Sequence, residues 1–298
     1  MFSAFSTVIK PRRRDLLGGF MVGRALPSVE QRSVGPFIFF DHMGPASFAP
    51  GKGLDVRPHP HIGLATVTYL VVGEIMHRDN LGSVQAIRPG DVNWMVAGEG
   101  IVHSERTKLE VRRVGHKLHG IQCWLGLPKQ HEKAKASFTH HPANKLPTRD
   151  KADSSIRLML GTGFGMKSPV KVFSPTLYAD VILIDGASVD VPADHPERAI
   201  YVVEGAIDNG GKAVEAGEMV ILLPEVEATI KAKGKTRCVV IGGAPLEGPR
   251  HLWWNFVASD KALIEAAKAD WDAAVKGKIS DRFGPPPDEK ELIPLPNM

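Results

Sequence analysis

The chain has only two cysteines and three tyrosines in 298 residues, and no apolar run approaches membrane-spanning length. Two cysteines in distant segments exclude a disulfide framework. Cys123 and Cys238 sit among apolar neighbours, so both read as buried thiols and a reducing compartment is expected. Met1 to Ile9 is moderately apolar but precedes its basic cluster, the wrong order for a secretory signal. With no spanning segment either, a cytoplasmic protein with no membrane role is expected. Nor does one sign of charge dominate, the formal net charge being +4. The one local concentration, Lys10, Arg12, Arg13 and Arg14 before Asp15, has no interleaved aromatics and reads as a solvated arm, which argues against direct nucleic-acid binding.

Turn formers, by contrast, are plentiful: 30 glycines and 23 prolines. Thr66 to Val72 is β-branched and aromatic and closes at Gly73, the pattern of a strand ending in a turn. Ile75 to His77 begins another strand, Asp79-Asn80-Leu81-Gly82-Ser83 is a turn cluster, and Val84 to Ile87 is a short strand. Pro89-Gly90-Asp91 turns again before Val92 to Val96, and Ala97-Gly98-Glu99-Gly100 bends the chain before Ile101 to Glu105. Short strands separated by frequent turns predict an antiparallel sandwich or barrel.

Two pairs of residues carry the chemistry. His59 and His61 in Arg57-Pro58-His59-Pro60-His61, and His103 and Glu105 in His103-Ser104-Glu105, each share one face of an extended strand, because successive side chains alternate. Three imidazoles and a carboxylate converging from two strands outline a mononuclear metal site. Without thiolate, the donors suit Fe(II), Mn(II), Ni(II), Co(II), Cu(II) or Zn(II). Each has a plainer reading: His-Pro-His alone is more often a turn with solvated histidines, and Glu105 beside Arg106 could be a surface ion pair. Other histidines carry less. His116 and His119 could approach the site but read better as structural or surface residues, His140-His141 beside Pro142 look like a loop, and His42 reads as a satisfied structural histidine.

Gly35-Pro36-Phe37-Ile38-Phe39-Phe40-Asp41-His42-Met43-Gly44-Pro45, His59-Pro60-His61, and Gly98-x-Gly100-Ile101-Val102-His103-Ser104-Glu105 together resemble the pirin family, within the cupin superfamily of jelly-roll barrels. The resemblance continues through Leu118 to Trp124 and Tyr201 to Gly205, so it covers most of the chain. It implies two tandem cupin β-barrels, the first holding one divalent metal, usually iron, through His59, His61, His103 and Glu105. Two positions depart from pattern. Ala65 stands where the general cupin motif offers a glutamate, which leaves Glu105 as the fourth ligand, the pirin arrangement. Glu99 stands where many pirins carry arginine, which puts selectivity for anionic ligands in doubt.

An internal repeat defines the second barrel. Tyr69-Leu70-Val71-Val72-Gly73-Glu74-Ile75 is echoed by Tyr201-Val202-Val203-Glu204-Gly205-Ala206-Ile207, and Pro89-Gly90-Asp91 by Ala216-Gly217-Glu218. Alignment on these glycines puts Val191, Ala193, Ile230 and Ala232 where His59, His61, His103 and Glu105 stand, so the second barrel is expected to lack metal ligands, with His195 on a loop. The expected fold is all-β dominated: a metal-binding cupin barrel over 1–135, a second cupin barrel over 136–257, and a helix and extended tail over 258–298. Ser259 or Asp260 can cap that helix, Leu263, Ala267, Trp271 and Ala274 form its apolar stripe, and Gly277 stops it. The tail, with Gly284-Pro285-Pro286-Pro287 and Pro294-Leu295-Pro296, reads as an extended surface segment.

Four protein ligands on an octahedral metal leave two positions open, enough for an organic oxygen donor and dioxygen side by side. The resemblance implies a quercetin 2,3-dioxygenase type of activity, cleaving a small aromatic substrate such as a flavonol with loss of carbon monoxide. Glu105 would be the catalytic base, and Phe39, Met43 and Trp94 could wall the pocket, though each could equally be core. The alternative is a regulator whose metal oxidation state alters a surface that binds a protein partner, a transcription factor or metabolic enzyme.

Overall fold

The computed structural model describes residues 4–16, 20–278, 280 and 282–296, and they are predominantly strand, as expected. No helix among them is long and apolar enough to cross a membrane. The chain forms two compact units, neither of them one continuous stretch. One comprises Met1–Arg14, Gly23–His42 and Pro142–Leu246; the other comprises Asp15–Val22, Met43–His141 and Glu247–Met298.

The histidine pairs belong to the second of these. There, strands Asp55–His61, Ile101–Arg106, Ile75–Asp79 and Val84–Ile87 lie side by side in that order, and Ser137–His141, Val92–Val96, Leu64–Val72 and His116–Gly126 follow one another in a second sheet. The turns sit where Gly, Pro and Asp demand them. Asp79 Oδ1 accepts from the N–H groups of Leu81 and Ser83, and Asp91 Oδ2 accepts from Arg88 N–H. Strand alternation then sorts the side chains. In Ile101–Arg106, Val102 packs with Ile62, Phe256, Ile264 and Trp271, while the residues on either side of it point the other way. Leu70, Leu118, Met43, Val56 and Ile75 close the remainder of the interior with apolar surface.

The helix Lys261–Val275 is capped by Asp260, whose Oδ1 accepts from Ala262 N–H at 2.9 Å, and Gly277 ends it at φ +76°. Its buried face is Ile264, Ala267, Trp271 and Ala274. Leu263 is only partly buried, because the stripe begins one residue later than its spacing suggests. The tail is tied down rather than loosely laid. Trp271 Nε1 donates to Ile293 O, Ile293 N donates to Pro58 O, and Arg106 makes a two-pronged pair with Glu289 at 2.8 and 2.7 Å.

The other unit is built on a ten-stranded sheet whose main path runs Phe5–Ile9, Met219–Leu222, Glu197–Asn209, Ala228–Gly243, Thr176–Leu183, Ser154–Gly163 and Thr148–Asp150. Val191, Ile230 and Ala232, three of the four positions aligned with the ligand pairs, lie in its apolar core. His195 is on a loop, as expected, and its Nε2 lies 2.9 Å from Thr162 O. Arg198 is buried, with its guanidinium donating to the carbonyls of Pro192, Leu223 and Val226. Arg12–Asp15, read as a solvated arm, is fully exposed and takes the form of a strand. Both cysteines are buried thiols outside any disulfide, and burial, with Asp180 nearby, pushes the Cys238 thiol well up.

Candidate metal centre

Strands Asp55–His61 and Ile101–Arg106 pair antiparallel with His103 opposite His59, so the even spacing within each strand becomes convergence across two. One nitrogen from each of His59, His61 and His103 lies within 4.8 Å of the other two. All three rings are buried. His59 Nδ1 lies 2.8 Å from Arg57 O and His61 Nδ1 lies 3.3 Å from Asn255 O. A carbonyl can only accept, so Nδ1 carries the proton in both rings and each Nε2 presents a lone pair.

His61 Nε2 and His103 Nε2 stand 3.1 Å apart, and His103 Nδ1 is buried without a partner. Such a contact needs a proton or a cation between the two nitrogens. Burial, the largest influence on each ring, lowers the His59 pKa to about 4 and holds His61 and His103 well below the ordinary histidine value. Three convergent neutral imidazoles are what a divalent cation takes, so the residues fit a metal.

The Asn255 carbonyl comes from a part of the chain remote from the histidines. Strands His251–Trp253 and Phe256–Ala258 form a hairpin with Trp254 in the left-handed region at φ +50°. It packs against the backbone just after His61. At Gly63, φ +69°, a Cβ would stand 1.8 Å from Val257 O, so only glycine permits that approach.

Glu105 shares its strand face with His103 but does not join the three-histidine group. Its carboxylate is held from the second sheet. Gln122 Nε2 donates to Oε1 at 2.9 Å and Oε2 at 2.7 Å, and Thr68 Oγ1 donates to Oε1 at 3.1 Å. Gln122 and Thr68 are cross-strand partners, and Gln122 Nε2 also reaches Thr68 Oγ1 at 3.3 Å. Burial raises the Glu105 pKa, and Gln122, His77 and Thr68 offset that only in part.

The face that carries Thr68 and Gln122 also identifies the aromatic wall. Trp124 lies two residues from Gln122 on the same face, and its ring meets His61 edge-on at 5.1 Å. Trp94 is opposite Val67, so it points to the other side of that sheet and does not wall the site. Phe39 and Met43 are core: Arg24 covers the Phe39 ring at 4.2 Å, and Met43 joins Leu70 and Leu118. Phe138 stacks on His77 at 4.2 Å, and His77 Nε2 lies 2.9 Å from Asp79 Oδ2. His77 stands opposite Glu105 in register and 5.3 Å from the His103 ring, a fourth histidine beside the group that sequence spacing missed because its strand carries only one.

The remaining histidines lie outside the group. His116 stacks on Phe48, and His42 Nδ1 lies 2.9 Å from Tyr201 Oη. His140 is in strand Ser137–His141 rather than a loop, with Nδ1 2.7 Å from Asn93 Oδ1; Phe138 and Thr139 favour the extended form that Pro142 ends. The Glu99 side chain is exposed, and its carbonyl accepts from Arg282.

Comparison with known proteins gives a consistent picture. A family model described as Pirin matches residues 19–125, and one described as Pirin C-terminal cupin domain matches residues 178–277. The chain is 46% identical over 293 residues to a pirin-like protein of Caulobacter vibrioides, covering 97% of this chain and 98% of that protein. Two crystal structures of quercetin 2,3-dioxygenase from Acinetobacter baumannii are similar in fold. One has a TM-score of 0.88 at 35% identity and covers 99% of this chain and 97% of its own; the other has 0.85 at 28% and covers 94% and 100%.

Proposed function

This chain belongs to the pirin family and has its two cupin domains, and on that premise we propose that the first of them is the centre of a metal-dependent dioxygenase of quercetin 2,3-dioxygenase type. The observation that carries the reading is the convergence of three buried imidazoles, two of them oriented by backbone carbonyls. The similarity to proteins named quercetin 2,3-dioxygenase supports the reaction type. His59, His61, His103 and Glu105 would hold one divalent metal, Fe(II) by family resemblance. When bound, the metal supplies a Lewis acid and redox partner for an enolic oxygen donor and dioxygen.

The chain's own residues do the rest. Glu105 takes the proton of the flavonol 3-hydroxyl, a task suited to a carboxylate whose pKa burial has raised. Gln122 and Thr68 fix where that carboxylate sits. Trp124 offers a flat apolar wall beside His61 to an aromatic substrate, and the buried surround limits water.

Anaerobic loading with Fe(II), followed by quercetin and air, tests this through loss of flavonol absorbance and release of carbon monoxide. Turnover in wild type that disappears in Glu105→Ala while iron stays bound is the expected result. Stoichiometric iron with quercetin and related flavonols left intact would defeat the enzyme reading and turn attention to redox-dependent capture of a protein partner.

A further inference from the structure

The tail after the helix carries a charge pattern that matches the strands beneath it. In Ile101–Arg106, Val102 packs with Trp271 and Phe283, and alternation puts Ser104 and Arg106 on that same side. Arg78 is directly opposite Ser104, so Arg78 and Arg106 emerge together from neighbouring strands. Arg57, on the strand flanking Ile101–Arg106 at its other edge, reaches the same place, because Glu291 meets Arg57 at 3.4 Å and Arg106 at 3.2 Å. Glu289 grips Arg106 at 2.8 and 2.7 Å, and Asp288 Oδ2 lies 3.9 Å from Arg78 Nε. Three arginines from three adjacent strands thus face three carboxylates of one stretch, Asp288-Glu289-Lys290-Glu291.

We infer that these arginines form a docking site for an extended acidic segment of another protein, in which the chain's own tail is the resident competitor. The inference does not involve the metal. The arginines open on a cleft of about 650 Å³ whose charged lining, apart from the tail, is Arg78, Arg106, Lys108 and Arg112 with Asp55 as counter-charge. So concentrated a positive surface draws negative charge. The spacing selects a chain over a small anion. Neighbouring strands are about 4.8 Å apart, so the outer two of the three stand roughly 10 Å apart, too far for one phosphate to bridge and matched to side chains two or three residues apart on an extended peptide.

The tail fills the site incompletely. Arg78 Nε is buried without a hydrogen-bond partner, while Asp288 is 82% exposed and sits in the left-handed region at φ +62°. Glu291 is half exposed, and exposed pairs of this kind hold weakly and are screened by salt. Glu289 alone of the three is buried and paired through both oxygens. A segment that gives Arg78 the close carboxylate it lacks therefore gains over the tail. It has to, because a tethered tail acts at an effective concentration of about a millimolar.

The test uses the full chain and a dye-labelled peptide with the sequence of residues 284–296, followed by fluorescence anisotropy at low salt. Glu289→Gln with Glu291→Gln weakens the resident tail, and hydrogen exchange at the Ile293 amide, which is bonded to Pro58 O, reports its release. Expected are no binding to wild type below about 1 mM and binding about tenfold tighter or more to the double variant. Adding Arg78→Gln or Arg106→Gln should weaken that binding about tenfold, as should raising the salt concentration. A peptide whose three carboxylates are replaced by amides should not bind, and inorganic phosphate should not displace the labelled one. Thermal melting confirms that each variant folds, and Arg78→Gln carries the test should Arg106→Gln not fold. The docking site is overturned if the double variant binds the peptide no tighter than wild type, whether its tail is released or still protected. It is equally overturned if the arginine variants that fold leave binding unchanged, or if phosphate displaces the peptide as well as an unlabelled copy does.

Discussion

His61 joins three parts of the sequence at one ring: its Nδ1 meets the Asn255 carbonyl, its Nε2 faces His103, and its edge meets Trp124. Such a ring transmits occupancy of the site to an optical probe. Binding of Co(II) is expected to quench part of the tryptophan fluorescence, and Trp124→Phe should remove most of that quench without abolishing binding; an undiminished quench in the variant would mean that another of the five tryptophans reports the metal. At this scale the sequence was highly legible for His59, His61 and His103, since two-residue spacing fixes a shared face. It was silent on Gln122, Thr68 and His77, whose relevance depends on strands that meet Glu105 from elsewhere. Trp94 and Trp124 illustrate the limit. Both are aromatic residues in strands, and only the pairing of Trp94 with Val67 and of Trp124 with Thr66 tells which one faces the site.

The elements repeat more faithfully than the residues they carry. Gly73 and Gly205, aligned by the internal repeat, both have positive φ, +95° and +75°, and in each an added Cβ would stand 2.4 Å from a lysine carbonyl, Lys117 in one and Lys235 in the other. Gly73→Ala and Gly205→Ala should therefore each lower stability by roughly 1–3 kcal/mol, from φ strain and backbone clash together. Matching losses in urea unfolding would show that the repeat conserves the turn, and a neutral result at either position would contradict it. The tail is an element of the same standing. Arg106, next in sequence to Glu105, grips Glu289, whose pKa burial would raise but which Arg106 and neighbouring donors hold below its ordinary value of 4.5. A carboxyl with a lowered folded pKa is protonated first in the unfolded chain as pH falls. Its contribution is thus present above 4.5 and lost as pH drops through the folded value. Glu289→Gln should cost stability at pH 7 and cost progressively less below pH 4.5, read from urea midpoints; a pH-independent difference would assign the effect to packing instead.

For the whole molecule, the two units divide the chemistry. One holds the three-histidine group, and in the other Val191, Ile230 and Ala232 occupy the corresponding positions as apolar core. Hydrogen exchange with and without saturating Co(II) should gain protection in Asp55–His61 and Ile101–Arg106, in proportion to binding free energy, and gain none in Thr176–Leu183. Protection that rises equally in all three strands would show that the metal stabilises the molecule globally. The sequence by itself determined the strand-rich class, the turn positions, the repeat and the three histidines, because alternation, glycine φ and β-branching act over a few residues. The tertiary structure alone decided that Glu105 is held by Gln122 and Thr68, that Asn255 serves His61, and that the tail is bound to the strand bearing the site. Those contacts join segments far apart in the chain, and their existence depends on strand register and sheet facing, which no local pattern of side chains encodes.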